Sequence, residues 1–427
     1  MSLTAHQKDI MGQVIECLKA GHKRIIIKGS AGVGKTFLVK EFVEWYLVSN
    51  FFVKSRWATE TVYITAPTNK ALAILQSKMI NMVDGTTTFK TIHSALKLRR
   101  DVNSRTGDVK FVPDYSEKNR PFEGCKLAVL DECSMLPSAL LNLLDDYPFP
   151  IIFTGDDKQL NPVGEDSSPV FNRGYPTFEL TEIIRQGEGN PIIDLSRNLD
   201  LIFKREPKLI DGLGYVYSND RARIINNLAE VNGTDEMKYL AWTNAEVDSM
   251  NTQVRKKLYG ETPARIEAKE SLIFNAPLGD IFTNQEVKVE DVKIITEEVR
   301  IPTSFSRYDG TKPNVTDKIK MKVYRVNDEF NIIHEHSDSM YGVILTTLIN
   351  NCKKFGWNWK GKFFFEEQFA NVKYNHAISI HKSQGSTYSD AILNVGNANL
   401  NKNVEEKKRL FYTGITRAAN VLLLNNV

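Results

Sequence analysis

Cysteine is scarce in this chain of 427 residues. The four present, Cys17, Cys125, Cys133 and Cys352, form no CxxC pair and no cluster with histidine at zinc-ligand spacing. That leaves no basis for a zinc ribbon or a disulfide framework, and free, partly buried thiols are expected. Long apolar runs are also missing. None approaches the roughly 20 residues of a membrane span, and Met1–Gln7 lacks the basic-then-apolar pattern of a secretory signal. A cytoplasmic protein with no membrane partner is therefore expected. Neither sign of charge dominates: 55 Lys and Arg face 52 Asp and Glu, a formal net charge of +3. Overall charge thus neither demands nor excludes nucleic acid, for which a local basic groove suffices. No short-period repeat and no low-complexity tract occurs. A hydrophobic content of 42% and a charged content of 25% are those of a globular protein, and the length calls for two to four domains.

What is present is more specific. Gly29-Ser30-Ala31-Gly32-Val33-Gly34-Lys35-Thr36 follows the apolar run Ile25-Ile26-Ile27 and leads into a helical pattern through Phe37, Leu38, Phe42 and Val43. That is the strand–loop–helix setting of a phosphate-binding P-loop. Glycines let the backbone curl so that successive N–H groups face phosphate oxygens, and the following helix adds its positive dipole end. Gly29, Ala31, Gly32 and Gly34 would cradle the phosphates of a nucleotide. Lys35 would reach its β and γ phosphates and Thr36 would ligate Mg²⁺. Further on, Val129-Leu130-Asp131-Glu132 closes an apolar run with two carboxylates. In a P-loop enzyme Asp131 would hold Mg²⁺ and Glu132 would deprotonate the attacking water. In Phe153-Thr154-Gly155-Asp156-Asp157-Lys158-Gln159, the glutamine follows the next strand-like run and could sense the γ-phosphate.

Strand-like runs at 24–28, 61–66, 126–130 and 150–154 alternate with helical patterns at 69–79 and 138–145. Such alternation predicts a parallel sheet covered on both faces, with ligands at the carboxyl ends of its strands. The polar stretch near 98–120 carries the turn signal Arg105-Thr106-Gly107-Asp108 and reads as a hairpin. A second α/β pattern includes Tyr239-Leu240-Ala241-Trp242, resumes at Ala377–Ile380 and ends in Val421–Leu424. Short β-type runs between these parts, at 286–289, 292–296, 320–324 and 330–333, suggest a small barrel-like insertion. The expected division is 1–97 with 121–180 as the first lobe, interrupted by the hairpin at 98–120. Residues 181–260 with 371–427 form the second lobe, interrupted by the insertion at 261–370.

Taken in order, the motifs resemble those of superfamily 1 helicases, and of the 1B branch in particular. Leu3-Thr4 with Gln7 resembles the adenine-reading Q motif, Ala66-Pro67-Thr68-Asn69-Lys70-Ala71 motif Ia, and Thr91-Ile92-His93-Ser94 motif Ib. Leu180-Thr181-Glu182-Ile183-Ile184-Arg185 is similar to motif IV. Ser379–Thr387, with Gly385 at the nucleotide, is similar to motif V, and Tyr412-Thr413-Gly414-Ile415-Thr416-Arg417 to motif VI. The likeness spans nearly the whole chain except about 260–361. It implies two RecA-like parallel-sheet lobes, the first with a hairpin insertion and the second with a β-rich, SH3-like one. It implies an enzyme that hydrolyses ATP with Mg²⁺, moves 5′→3′ on single-stranded DNA and separates duplexes. Arg185 and Arg417 would be arginine fingers from the second lobe. Pro67, Thr68, His93, Asn244, His381 and Lys382 would line the strand channel, mostly against phosphate and sugar. Phe111 on the hairpin would stack on a base and wedge the duplex, or else only anchor the hairpin. His93 could equally be structural, and Thr243-Asn244 a turn or cap. The aromatics Trp357, Trp359 and Phe363-Phe364-Phe365, set among lysines, could bind a strand but more readily pack the insertion against its parent.

The expected partners are single-stranded DNA and fork junctions, with replication or single-strand-binding proteins as candidates, and the chain is expected to act as a monomer. Competing readings are a translocase that strips proteins from DNA while unwinding weakly, an ATP switch on nucleic acid, and an RNA track in place of DNA.

Overall fold

Ile25, Ile26 and Ile27 set the layering of the first lobe. Side chains alternate faces along a strand. Accordingly, Ile25 and Ile27 enter one core with Val62, Ile64, Val129 and Leu38, while Ile26 enters another with Tyr63, Leu130, Phe153 and Leu141. A sheet buried on both faces is the consequence. A computed structural model gives the structure of the chain; it describes residues 3–49, 61–79, 86–113, 120–182, 190–279, 281, 283–304 and 315–427.

In chain order the first-lobe strands are β1 (Arg24–Gly29), β2 (Thr61–Ala66), β3 (Thr87–Thr91), β4 (Leu98–Val102), β5 (Val109–Pro113), β6 (Cys125–Leu130), β7 (Ile151–Gly155) and β8 (Thr177–Leu180). Six of them form one sheet in the order β3-β2-β6-β7-β1-β8, and every neighbouring pair is parallel. Strands β4 and β5 stand apart as an antiparallel hairpin that pairs Arg100 with Phe111. The second lobe supplies β9 (Lys208–Ile210), β10 (Leu213–Tyr217), β11 (Met237–Ala241), then β12 (Ser271–Phe274), β13 (Glu286–Lys288), β14 (Val292–Ser304), β15 (Val315–Val326) and β16 (Phe330–Ile333) of the insertion. After β17 (Val372–Tyr374) come β18 (Ala377–Ser379), β19 (Tyr388–Asn394) and β20 (Ala418–Asn425). Its six-stranded sheet runs β18-β11-β19-β20-β10-β9, parallel except at the edge strand β9.

The insertion holds two three-stranded antiparallel sheets, β13-β12-β17 and β14-β15-β16, and the 18-residue helix Asp338–Phe355. Strands β14 and β15 extend well past the runs 292–296 and 320–324 expected from sequence. Their polar middles look like turns in one dimension, but Glu298 pairs with Lys318 at 2.8 Å and Glu297 with Arg325 at 3.0 Å across the ladder. Strands β3 and β8 were not read from the sequence. Thr87–Thr91 holds a single large apolar residue, and Thr177–Leu180 is a short edge strand. Among the described residues no helix is long and apolar enough to cross a membrane. All four cysteines are free, with Cys133 and Cys352 buried.

Candidate functional site

The loop after β1 curls as its glycines allow: Gly32 and Gly34 take φ of 85° and 79°, and Gly34 opens the helix Lys35–Val48. Lys35 Nζ donates to the carbonyls of Gly29 (2.6 Å) and Ser30 (3.0 Å), folded back over its own loop. Asp131 and Glu132 follow β6, one sheet position beyond β7 from the P-loop strand. Thr154 at the end of β7 donates to Asp131 Oδ1 at 2.5 Å, which orients that carboxylate. Glu132 sits in the left-handed region, φ 53°, a strained setting for a non-glycine residue. Burial pushes its carboxyl above the usual range; Asp131 adds to this, while Arg417 and Lys35 oppose it.

A cavity of about 600 Å³ gathers these groups. Ala31, Gly32, Gly34, Lys35, Thr36, Asp131, Glu132 and Gln159 line it from the first lobe, with Gln7 beside them. Gly385, Ser386, Thr416 and Arg417 close it from the second lobe. Glu132 Oε2 and Gln159 Oε1 are sealed from solvent with no hydrogen-bond partner among the described residues. Orphaned buried acceptors of this kind are costly unless a ligand or water meets them. Donor loop, carboxylate pair and facing cation together fit a Mg²⁺-bound nucleoside triphosphate.

Arg417 comes from the second lobe, buried at the end of the helix Val404–Ile415. It donates to the carbonyls of Thr413 (3.0 Å), Ser383 (3.3 Å) and Ser386 (2.9 Å), so it also braces the 383–386 loop. Arg185 lies outside the described residues. Gln7 is buried and already engaged. Its Oε1 accepts from Thr4 N (3.2 Å) in a capping box, and its Nε2 lies 3.5 Å from Gly34 O. Reading an adenine would require this amide to exchange partners. Gly385, φ 71°, abuts the first lobe: a Cβ there would lie 3.1 Å from Ala71 Cβ and 3.4 Å from Thr68 Oγ1.

The residues expected on nucleic acid fall in two groups. Pro67 and Thr68 follow β2, and Thr68 caps the helix Asn69–Lys78 by accepting from Ala71 N at 3.2 Å. His93, in the short helix after β3, meets Phe111 of the hairpin. Burial lowers the His93 pKa, which favours a neutral ring. In the second lobe, Lys382 Nζ bonds Asn275 Oδ1 of the insertion, and burial lowers its pKa, with Lys373 adding to the effect. His381 is half-buried 3.8 Å from Glu406. Asn244 is exposed at the first turn of the helix Asn244–Tyr259, and the cap is Thr243, which accepts from Glu246 N at 3.3 Å. Of the aromatic cluster, Trp359 packs on the hairpin tip: its Nε1 donates to Arg105 O at 3.1 Å.

Sequence reasoning missed the cross-lobe links, among them those of Lys70 and Arg409. Lys70 of the first lobe binds Asp235 (2.8 Å) and Glu286 (2.9 Å) and lies over the Tyr388 ring. Arg409 reaches back to the carbonyls of Asp157 and Gln159. Neither carries a sequence signal, because each is one basic residue among many on a helix.

Two parallel-sheet lobes closing on a P-loop cavity define the core of a nucleotide-driven motor. Residues 14–165 match the AAA domain family and residues 374–424 the UvrD-like helicase C-terminal domain family. The ATP-dependent DNA helicase dda of Enterobacteria phage T4 is 27% identical over 459 residues, covering 97% of each chain. An uncharacterized protein of Acanthamoeba polyphaga mimivirus is 26% identical over 479 residues, covering 94% of this chain and 95% of its own. Among solved structures, the Bacteroides Pif1 helicase bound to single-stranded DNA shares the fold at a TM-score of 0.53 and 17% identity. That match covers 99% of this chain and 92% of the other. Over nearly its whole length the chain is thus similar to a viral ATP-dependent DNA helicase, and its two ends match an AAA domain and a helicase C-terminal domain.

Proposed function

We propose that this ATP-dependent DNA helicase moves along single-stranded DNA in the 5′→3′ direction and separates duplex DNA at a fork. The observation that carries the reading is the cavity itself, where Lys35, Glu132 and Gln159 of one lobe face Arg417 of the other. Hydrolysis there would be coupled to lobe movement, because its parts come from both bodies. Direction rests on the resemblance of the motifs to those of the 1B branch. Separation rests on the hairpin, whose Phe111 is 52% exposed beside His93.

In this mechanism the P-loop amides and Lys35 hold the phosphates, and Thr36 with Asp131 would hold Mg²⁺, which offsets phosphate charge when bound. Glu132 accepts the proton of the attacking water. Burial raises its pKa, which favours proton uptake, while Arg417 and Lys35 nearby oppose that rise. Gln159 would sense the γ-phosphate by donating from its side-chain amide, which leaves its unpartnered carbonyl oxygen free to accept from the attacking water. Arg417, joined by Arg185, stabilises charge on the transferring group. Pro67, Thr68, His93, Asn244, His381 and Lys382 contact the strand. The relation to the T4 DNA helicase supports DNA as the track.

The test is strand displacement with ATP and Mg²⁺ on matched duplexes carrying a 5′ or a 3′ single-stranded tail. Displacement from the 5′ tail alone is expected, and the Lys35→Ala variant should be folded but inactive. Preference for the 3′ tail would overturn the direction. DNA-stimulated hydrolysis with displacement from neither tail would make the chain a translocase or remodeller.

A further inference from the structure

Residues 156–160 follow β7 of the first lobe, yet their contacts run to the second. The phenol of Tyr412 donates to Asp156 Oδ2 at 2.5 Å, and its oxygen lies 3.4 Å from the backbone N–H of Ala31 in the P-loop. Asp156 is 1% exposed, and its other oxygen accepts from Lys158 N at 3.0 Å, which closes the turn. One helical turn before Tyr412, Arg409 Nη1 holds Asp157 O and Gln159 O (2.6 Å). Leu160 N donates to Thr413 Oγ1 at 3.3 Å, Gln384 Nε2 donates to Leu160 O at 3.1 Å, and the Leu160 side chain lies in the core of the second lobe. The turn that carries Gln159 therefore takes its shape from the second lobe, although covalently it belongs to the first.

Tyr412 is the member of this set that touches both the P-loop and the turn. It is not among the residues lining the cavity, so any effect on the reaction must pass through its neighbours. Burial and the adjacent Asp156 raise its pKa, so the phenol stays protonated and able to donate. Burial also raises the Asp156 pKa, against Lys35 and the Tyr412 bond; a carboxylate with so little solvent depends on that donor.

We propose that Tyr412 is a positioning residue for hydrolysis: its hydroxyl joins Ala31 and Asp156 when the lobes are together, and so sets the turn that presents Gln159. The inference rests on the reading of the cavity as an ATP-hydrolysing site. When the lobes part, Tyr412 leaves with the helix Val404–Ile415, and the turn loses its donor. Hydrolysis is thereby made conditional on closure.

The experiment measures kcat and KM for ATP with saturating single-stranded DNA, together with Tm. It compares wild type, Tyr412→Phe, Asp156→Asn and the double variant. Tyr412→Phe keeps the ring and removes the hydroxyl's bonds to Asp156 and Ala31, so a kcat loss of about tenfold is expected, with KM within about twofold and Tm lowered by no more than a few degrees. In the Asp156→Asn background the same change should cost only about twofold, because a neutral amide accepts more weakly. Wild-type kcat in Tyr412→Phe overturns the inference. So does an equal loss in both backgrounds, or a kcat loss that merely follows a lowered Tm. An active wild type with an unaltered Tyr412→Phe sinks this inference alone. An inactive wild type sinks the hydrolysis reading as well.

Discussion

The imidazole of His93 and the ring of Phe111 stand edge to face, with centroids 5.6 Å apart and planes at 75°. One belongs to the sheet lobe and the other to the hairpin, 18 residues further along the chain. The contact fixes the side of the hairpin on which Phe111 is presented, and leaves half of that ring open to solvent.

Phe111→Ala should reduce strand displacement at least tenfold, since stacking on one base contributes about 1–3 kcal/mol. Hydrolysis stimulated by single-stranded DNA should stay within about twofold of wild type. Measuring both rates on the same preparation decides the matter. Equal loss of the two would mean that Phe111 serves the motor rather than the junction.

Trp359 of the insertion lies against Gly107 at the hairpin tip. Gly107 has φ 77°, and a Cβ there would come within 2.5 Å of the indole. Gly107→Ala is therefore both strained and blocked. It should uncouple the hairpin and lower displacement severalfold with little change in single-strand hydrolysis. Trp359→Ala should do the same by removing the platform. A variant that unwinds at the wild-type rate would show that the insertion does not support the hairpin.

Glu132→Gln should retain ATP binding and lose hydrolysis by about 10²–10⁴-fold, the usual worth of a positioned base. The wild-type rate should also carry an acid limb. Burial raises the Glu132 pKa, so the reactive carboxylate is lost as pH falls toward a value above the ordinary 4.5. A kcat profile on saturating DNA that is flat through this region would argue against Glu132 as the base.

His376 is fully buried before β18, and neither ring nitrogen has a partner among the described residues. Burial lowers its pKa to about 4, with Lys238 and Arg255 adding to the effect. The neutral ring is the folded form, so this contribution to stability is complete above about pH 6.5 and is lost as pH falls toward 4. Between pH 7.5 and 5 the loss amounts to about 2 kcal/mol. Denaturant titrations should show it in wild type and a flatter dependence in His376→Met. An unchanged slope in the variant would assign the acid sensitivity elsewhere.

Much of the nucleotide site could be read along the chain. A P-loop is contiguous: Gly32, Gly34, Lys35 and Thr36 do their work within one turn of backbone, so spacing alone conveys the geometry. Asp131 and Glu132 were legible for a related reason, because an apolar run ending in carboxylates marks the ligand-binding end of a parallel strand. The hairpin was announced by its turn residues. Less of the proposed nucleic-acid face was legible. His93, Phe111, His381 and Lys382 each stand in a short motif, and no local pattern says that His93 meets Phe111 or that Lys382 bonds Asn275.

The sequence by itself determined the class of the protein, the two-lobed α/β plan and the phosphate-binding loop, since these depend on local periodicity, glycine placement and motif order. Only the tertiary structure decided how the two bodies grip one another. Tyr412 on Asp156, Arg409 on the carbonyls around Gln159, Lys70 on Asp235 and Glu286, and Trp359 on the hairpin tip join residues far apart in the chain. Their partners are backbone carbonyls, buried carboxylates and ring faces, which nearly any residue order can supply. Such pairings become specific only once the sheets, the helices and the insertion have set the distances between them.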